Sequence, residues 1–575
     1  MMNRFVHTIL AFLCVSLVFG QERGADATII SDSDRSVEES SRISVRPRMI
    51  DTTLSAPTVR YPFLALKAAT SFEVDEIQPA TLRHRPQLSK LYNGYVKAGG
   101  GNRLMGLGEV YYNSLRSRRM NWGVHAKHLS EWGQISDYAP SMYDRSSIKG
   151  FIDMDERRYS YGGQINYMNQ GLHYYGFQDP DASRDSIRQR FNSVGFSGYY
   201  ASHKKDTNVL NYRVGLAYNY FTDRSPEEDT LSAWRARENY VSVTSNWQYN
   251  SSNNVFLSNL NADLDFHYND YRYGVQGDSI NPLDTGIVSS NTVVQFRPMS
   301  YLYGKGEKLQ AHLGLELTMN FHWDNSAYIF PIAEVRYSLF DDLFIPYAKL
   351  DGGLQQQRFA SLTRTNEFLS SNIFLDNMQQ YNFSFGIKGT LSKHMSFNVF
   401  GSLSQNNNMA LFVNDTLNSS GNQFRVVYDD VSFFKMGGSL SYQKDETLKI
   451  DAVANYYNYS PSNFPHAWNL PELEFILRGK YNIVDKLFLS LDFTLETGRT
   501  ARAFDASLSN VTDHGDFLST PLGVIADANL GAEYRYSKRM SFFLNFNNFA
   551  AQRYQRWFDY PVQGFQFMIG ASFRF

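Results

Sequence analysis

Asp263 and Asp265, His312 and Glu316, and Asp492 and Glu496 are the titratable residues of this chain whose spacing could do chemistry. Separations of two and four residues put both members of a pair on one face of an extended strand, where carboxylates and an imidazole could attract a cation or move a proton. The same spacing arises wherever alternate positions of a strand face water, with the carboxylates balanced by cations such as Arg213, Lys449 or Arg574. His312 and His322 also share a face, but ten residues of strand hold them about 33 Å apart, too far for one metal ion. The single cysteine, Cys14, lies in an N-terminal apolar run, so the remainder offers no thiolate for a disulfide, a metal or a nucleophile. Gly99-Gly100-Gly101 lacks the spacing of a phosphate-binding loop and sits in a strand-like stretch, which points to close packing or a bulge. No catalytic residue, cofactor or metal is assigned on these grounds. The six residues are read as a polar patch lining a water-filled lumen.

The elements that would position them alternate over long distances. Leu309, Ala311, Leu313, Leu315, Leu317, Met319, Phe321 and Trp323 fall on one face, against Gln310, His312, Gly314, Glu316, Thr318, Asn320 and His322 on the other. Comparable faces run through Leu260 to Tyr268, Tyr212 to Tyr220, Phe383 to Leu391 and Leu487 to Leu495. Each such segment holds roughly 10 to 16 residues, the length a tilted strand needs to cross a membrane. The composition agrees. Aromatic residues make up 15% of the chain while its mean hydropathy is −0.40, which suits a barrel whose alternate residues meet lipid and excludes a bundle of apolar helices. A net charge of −2 with no basic stripe argues against a nucleic-acid partner.

Short polar turns (203–206, 304–307, 392–394, 443–446, 484–486 and 537–539) alternate with longer connections (182–187, 222–234, 271–286, 359–379, 406–422 and 497–525). Barrels of this kind keep short turns in the periplasm, so the longer connections are assigned to the outside. Counting from Tyr92 gives about 21 segments. Splitting 150–177 into Phe151–Tyr161 and Ile165–Tyr175 gives 22, an even number that returns both termini to the periplasm. The expected fold is therefore an all-β, transmembrane antiparallel barrel of about 22 strands, with 18 and 20 as alternatives. Ahead of it, residues 1–20 have the charged start and apolar core of a signal peptide. Residues 21–60, rich in Ser, Asp and Arg, are read as a flexible periplasmic segment, and the Pro-containing 61–91 as a strap at the barrel mouth.

The last segment carries Phe565, Phe567, Ile569, Ala571, Phe573 and Phe575 on one face and ends the chain on an aromatic. With Asn547-Asn548-Phe549, Gln552-Arg553-Tyr554 and Tyr560 to Phe565 before it, and Leu91 to Asn102 at the other end, the sequence resembles barrels related to TonB-dependent receptors of Bacteroidota. The resemblance implies a receptor-like transport barrel in the Gram-negative outer membrane, with Phe573 and Phe575 as the signal read by the barrel-assembly machinery. It also implies contact with outer-membrane lipid and lipopolysaccharide, and a lipoprotein or another barrel as possible partner. One departure is that only about seventy residues precede the barrel, with no separate plug domain and no TonB-engaging box. That shifts the expectation towards a channel or a subunit of an outer-membrane complex. TonB-dependent uptake is the runner-up, and a barrel-embedded enzyme is disfavoured.

Overall fold

The computed structural model describes residues 91–203, 209–224, 235–250, 259–274, 287–303, 308–322, 325–416, 419, 421–503 and 518–575. The proposed signal peptide, the flexible segment, nearly all of the strap and the question of a plug domain lie outside them. The unit Gln87–Phe575 holds every described strand.

Twenty-two strands, from Gly94–Gly101 to Gln566–Arg574, form one antiparallel sheet in which each pairs with its sequence neighbours. The first and last strands then close the ring, from Tyr95↔Arg574 to Gly101↔Met568. Gly94 and Phe575 exchange both backbone hydrogen bonds at 3.0 Å. Closure leaves no sheet edge, the condition for placing a β-sheet in lipid. The glycines at this junction have a steric reason: a Cβ on Gly101 would lie 2.1 Å from the Phe567 carbonyl oxygen, and one on Gly99 would strike the Phe543 ring.

Alternation sorts the side chains as expected. Leu313, Leu315, Leu317, Met319 and Phe321 point outward and are exposed, whereas Glu316, Thr318 and Asn320 on the same strand are buried on the inner face. The outward apolar surface belongs in hydrocarbon. Strand height varies, from 8 residues in Gly94–Gly101 to 21 in Phe424–Lys444.

One boundary differs from expectation. The paired strands in the 150–177 region are Tyr143–Asp155 and Tyr159–His173, turning at 156–158 rather than near Gly162-Gly163. The charged run Asp155-Glu156-Arg157-Arg158 supplies the turn. Gly162 sits inside the strand, where a Cβ would meet the Ile152 carbonyl and the Tyr199 ring. A second irregularity lies between Ser326–Tyr337 and Ile345–Gln355, whose ladder covers only Ala333↔Leu350 to Arg336↔Tyr347. It stops just short of Pro331, which brings no N–H to a ladder. Beyond that point Gly352 lies against Phe330, and Leu354 packs with Val293 and Phe330. The upper part of the second strand thus laps over the inner surface of the wall and leads into the connection 356–377.

Candidate functional site: a closed mouth above a polar lumen

The connection 356–377 is rich in large apolar residues for a loop: Phe359, Leu362, Phe368, Leu369, Ile373 and Leu375 are all buried. It begins with a short helix, α1 (Phe359–Thr365). Two local bonds start the helix: Arg358 N–H donates to Ser361 Oγ at 3.1 Å, and that hydroxyl donates to the Arg358 carbonyl at 2.7 Å. The Glu238 carboxylate, on the inner face of strand Ala236–Asn250, accepts the N–H groups of Phe359 (2.8 Å) and Ala360 (3.0 Å). A carboxylate there satisfies two donors with no partner inside the helix, and its charge suits the positive end of the peptide dipoles. The Phe359 ring fills the space between Phe191, Phe221 and Tyr271, with centroids 5.2–6.2 Å away.

The far end of the connection reaches across the lumen. Glu367 accepts bonds of 2.6 Å from both Arg145 and Gln170. Those residues lie on strands Tyr143–Asp155 and Tyr159–His173, separated from the strands that flank the connection by seven strands one way round the wall and eleven the other. Ser370 and Phe368 exchange backbone bonds with Phe424 (2.7 and 2.9 Å). Asp223 accepts the Ser371 hydroxyl, and also Gln189 Nε2 at 3.2 Å and the Ala236 N–H at 2.5 Å.

Other long connections complete a roof. Tyr560 stacks on Phe368 at 3.8 Å, and Trp557 lies against Phe412 and Phe424. Tyr174 donates its hydroxyl to the Leu369 carbonyl at 3.1 Å. Burial pushes the Tyr174 and Tyr560 hydroxyls well above the usual tyrosine range, so both remain protonated donors. Buried Arg499 joins two connections by donating to the carbonyls of Gln555, Arg556 and Gly523 at 2.8–3.3 Å. A second apolar cluster sets Phe464 and Trp468 on Leu411, Val413, Val427 and Val431, with Asp429 receiving the Asn463 and Phe464 N–H groups at 3.1 Å.

Below the roof, the residues singled out from the sequence do not form one patch. Asp263, Asp265 and Glu316 gather on adjacent strands around Arg297, which none of the sequence patterns had indicated. Arg297 donates to Glu316 at 2.6 and 2.9 Å and lies 3.7 Å from Asp263. The cations named as balancing partners, Arg213, Lys449 and Arg574, are placed elsewhere: Arg213 stacks on Tyr199 and Lys449 pairs with Asp451. His312 sits beside Tyr301 and 3.8 Å from Glu334. His322 is at the rim, in contact with the Ser290 and Leu375 carbonyls at 3.1 Å. Asp492 faces Arg478 at 3.6 Å with both largely exposed, and Glu496, on a strand separated from that of Glu316 by seven others, is 4.0 Å from Arg499. Asp263, Glu316, Asp492 and Glu496 therefore each have a cation within 4.0 Å. Phe573 and Phe575 stack at 6.3 Å on the outer face, about half exposed.

The aromatics near the strand ends divide between the outer face and the interior. Tyr112 and Trp122 face outward, but Tyr111 points inward and stacks on His125 at 3.9 Å, while Tyr174, Tyr175 and Trp557 belong to the roof. Glu238, Asp223 and Phe359 were missed altogether. The signal available for them was the apolar content of 359–375, too high for a loop in water.

A closed barrel of this size with inward-folded connections defines the class, a membrane-spanning β-barrel built like an outer-membrane receptor. Solved structures of that class are similar to it. The ferripyoverdine receptor of the Pseudomonas aeruginosa outer membrane superposes with a TM-score of 0.61 at 11% identity, over 85% of this chain and 72% of the receptor. A copper transporter superposes with a TM-score of 0.61 at 13% identity, over 85% and 82%. The siderophore receptor of Acinetobacter baumannii gives 0.61 at 11%, over 85% and 81%. At these identities the likeness is one of fold. No protein-family model matches the sequence, and no curated protein matches it.

Proposed function

We propose that this chain is an outer-membrane transport barrel whose pore is closed at rest by its own connection 356–377. The observation that carries the reading is the course of that connection: it crosses the lumen and is held there by buried carboxylates of the wall, Glu238 and Asp223, rather than standing out from the rim. A pore of 22 strands is wide enough to leak unless something fills it. The short turns are assigned to the periplasm together with both termini, and Phe573 and Phe575 to recognition by the assembly machinery. The barrels it resembles are named as receptors and transporters, which favours transport over catalysis. Purified full-length protein in planar bilayers should conduct rarely. Replacing 357–376 by a short Gly/Ser linker should give large, long-lived openings. Wide, constant conductance from the native protein would overturn the reading.

Energised uptake is a second reading, supported by the shared barrel of siderophore receptors, since a mouth closed at rest suits a protein that admits cargo only when driven. Binding of TonB to the full chain, lost on deleting residues 21–60, would establish it. Recovery of a stoichiometric complex with a lipoprotein or a second barrel would instead favour the subunit role.

A further inference from the structure

The short-turn rim is not uniform in charge. Three turns carry pairs or triplets of cations: Arg116, Arg118 and Arg119 in 114–119, Arg157 and Arg158 in 156–158, and Lys538 and Arg539 in 536–539. Scattered through the sequence, they are brought by ring closure onto eight consecutive strands spanning the junction between the first strand and the last. All seven are exposed, and among the described residues none has a carboxylate within ion-pair distance. Three other turns of the same rim carry acids: 338–344 has Asp341 and Asp342, 445–447 has Asp445 and Glu446, and 484–486 has Asp485 beside Lys486, whereas within the three basic turns the one carboxylate is Glu156.

The basic turns share a construction. Ser117-Arg118-Arg119-Met120 and Ser537-Lys538-Arg539-Met540 are nearly the same tetrapeptide, one on each side of the closing junction. In both, the serine hydroxyl accepts the N–H groups two and three residues on, at 3.1–3.3 Å. In all three turns the carbonyl of the last arginine is held by the next strand, through Arg119 to Asp155 N, Arg158 to His203 N and Arg539 to Arg574 N, each at 2.8 Å. The backbone is fixed while the cationic side chains are exposed, Arg539 lying over the Tyr92 ring at 5.7 Å.

Directly above lies an outward aromatic band. Tyr112 packs on Trp122, and Tyr159, Tyr200, Tyr212 and Trp247 contact one another in series at 5.5–6.1 Å. Tyr536 and Phe542 extend the band past the junction. Such aromatics sit at the boundary between hydrocarbon and headgroups. Arg119 precedes Trp122 by three residues, about 10 Å of strand, which sets the arginines at headgroup depth.

We propose that this sector binds the headgroups of anionic phospholipids in the leaflet on the short-turn side, ordering such lipids around the closing junction. Phosphate matches the donor geometry of arginine, and cations beside a membrane surface attract anionic lipid cumulatively. The proposal rests on the membrane reading of the barrel, not on its transport role, so it survives failure of the gating experiment.

The test is native mass spectrometry of full-length protein titrated with phosphatidylglycerol or phosphatidylethanolamine, with heat-modifiable gel mobility as the check of folding. Native protein should retain phosphatidylglycerol preferentially. The R116Q/R118Q/R119Q variant should lose about fivefold in that preference for each cation removed, R157Q/R158Q should lose proportionately, and the K393Q/K444Q control on the other side of the rim should lose nothing. Because the arginines replaced are exposed turn residues, the two basic-turn variants serve as independent checks should either fold poorly. Equal retention by native and variant proteins would overturn the proposal. So would displacement of the lipid by inorganic phosphate at matched concentration, or loss of an acidic protein partner with no change in lipid.

Discussion

The two rims of this barrel are made by the same 22 strands and have opposite designs. At one end the connections are long and apolar and meet buried carboxylates of the wall: 356–377, 462–472, 498–503, 518–524 and 548–565 contribute to a roof whose core includes Phe359, Phe368, Tyr174 and Tyr560. At the other end the turns are short and polar, and their side chains touch little beyond their own backbone. The wall is what a barrel needs to sit in lipid. The roof adds a second structure that a barrel does not need in order to fold, with its own core and polar anchors. A substitution in the roof should therefore change what passes through the molecule, whereas one at the turns should change how it sits in the membrane.

The largest expected effect is the excision of 357–376, which removes the span across the lumen and should turn rare conductance into sustained openings while folded yield stays close to native. If folded yield collapses instead, the roof is part of the folding core and the contrast between the rims is false. Next is Phe575→Asp. Phe575 closes the ring through Gly94 and turns its ring to the outer face, so a carboxylate there should sharply lower the amount of barrel inserted in cells. Its conductance per inserted molecule should be unchanged; normal assembly levels would remove the role proposed for the C-terminal aromatics.

Glu238→Ala should act more selectively. It leaves the buried N–H groups of Phe359 and Ala360 without an acceptor, at a cost of about 2–3 kcal/mol. Borne by the closed position of the connection alone, that cost raises the open population by roughly a hundredfold. Proteolysis within 356–377 should accelerate correspondingly, with the strands still protected. Unchanged cleavage would mean that the apolar contacts of Phe359 hold the connection unaided.

The wall was largely legible in the sequence because a strand declares its two faces every second residue: Leu313, Leu315 and Leu317 against His312, Glu316 and Thr318 needed no knowledge of neighbours. The phase of the turns gave the count of 22. That the long outer connection 359–379 could fold inward was legible from the width of the barrel, but its anchors were not, because they depend on contacts far apart in the chain. Glu238 meets Phe359 across 121 residues and Asp223 meets Ser371 across 148, and no local pattern encodes either. The same limit explains why Arg297 was missed as the partner of Asp263 and Glu316, and why the turn before Tyr159 was placed at Gly162-Gly163. A glycine pair signals a turn locally, yet here Gly162 makes room for Tyr199 on the neighbouring strand.

The smallest expected effect sharpens the contrast from the other side. Ser117→Ala removes an acceptor used by the Arg119 and Met120 N–H groups in an exposed turn, where water replaces the lost bonds. The cost should be about 0.5–1 kcal/mol in unfolding free energy, with no rise in conductance and no faster cleavage of 356–377. Ser537→Ala, in the matching turn, should behave alike. Far-separated sites add, so the double variant should lose the sum of the two and still not leak. A leak in either single variant would show that the short-turn rim communicates with the roof along the strands, in which case the two ends could not be treated as independent devices on a shared wall.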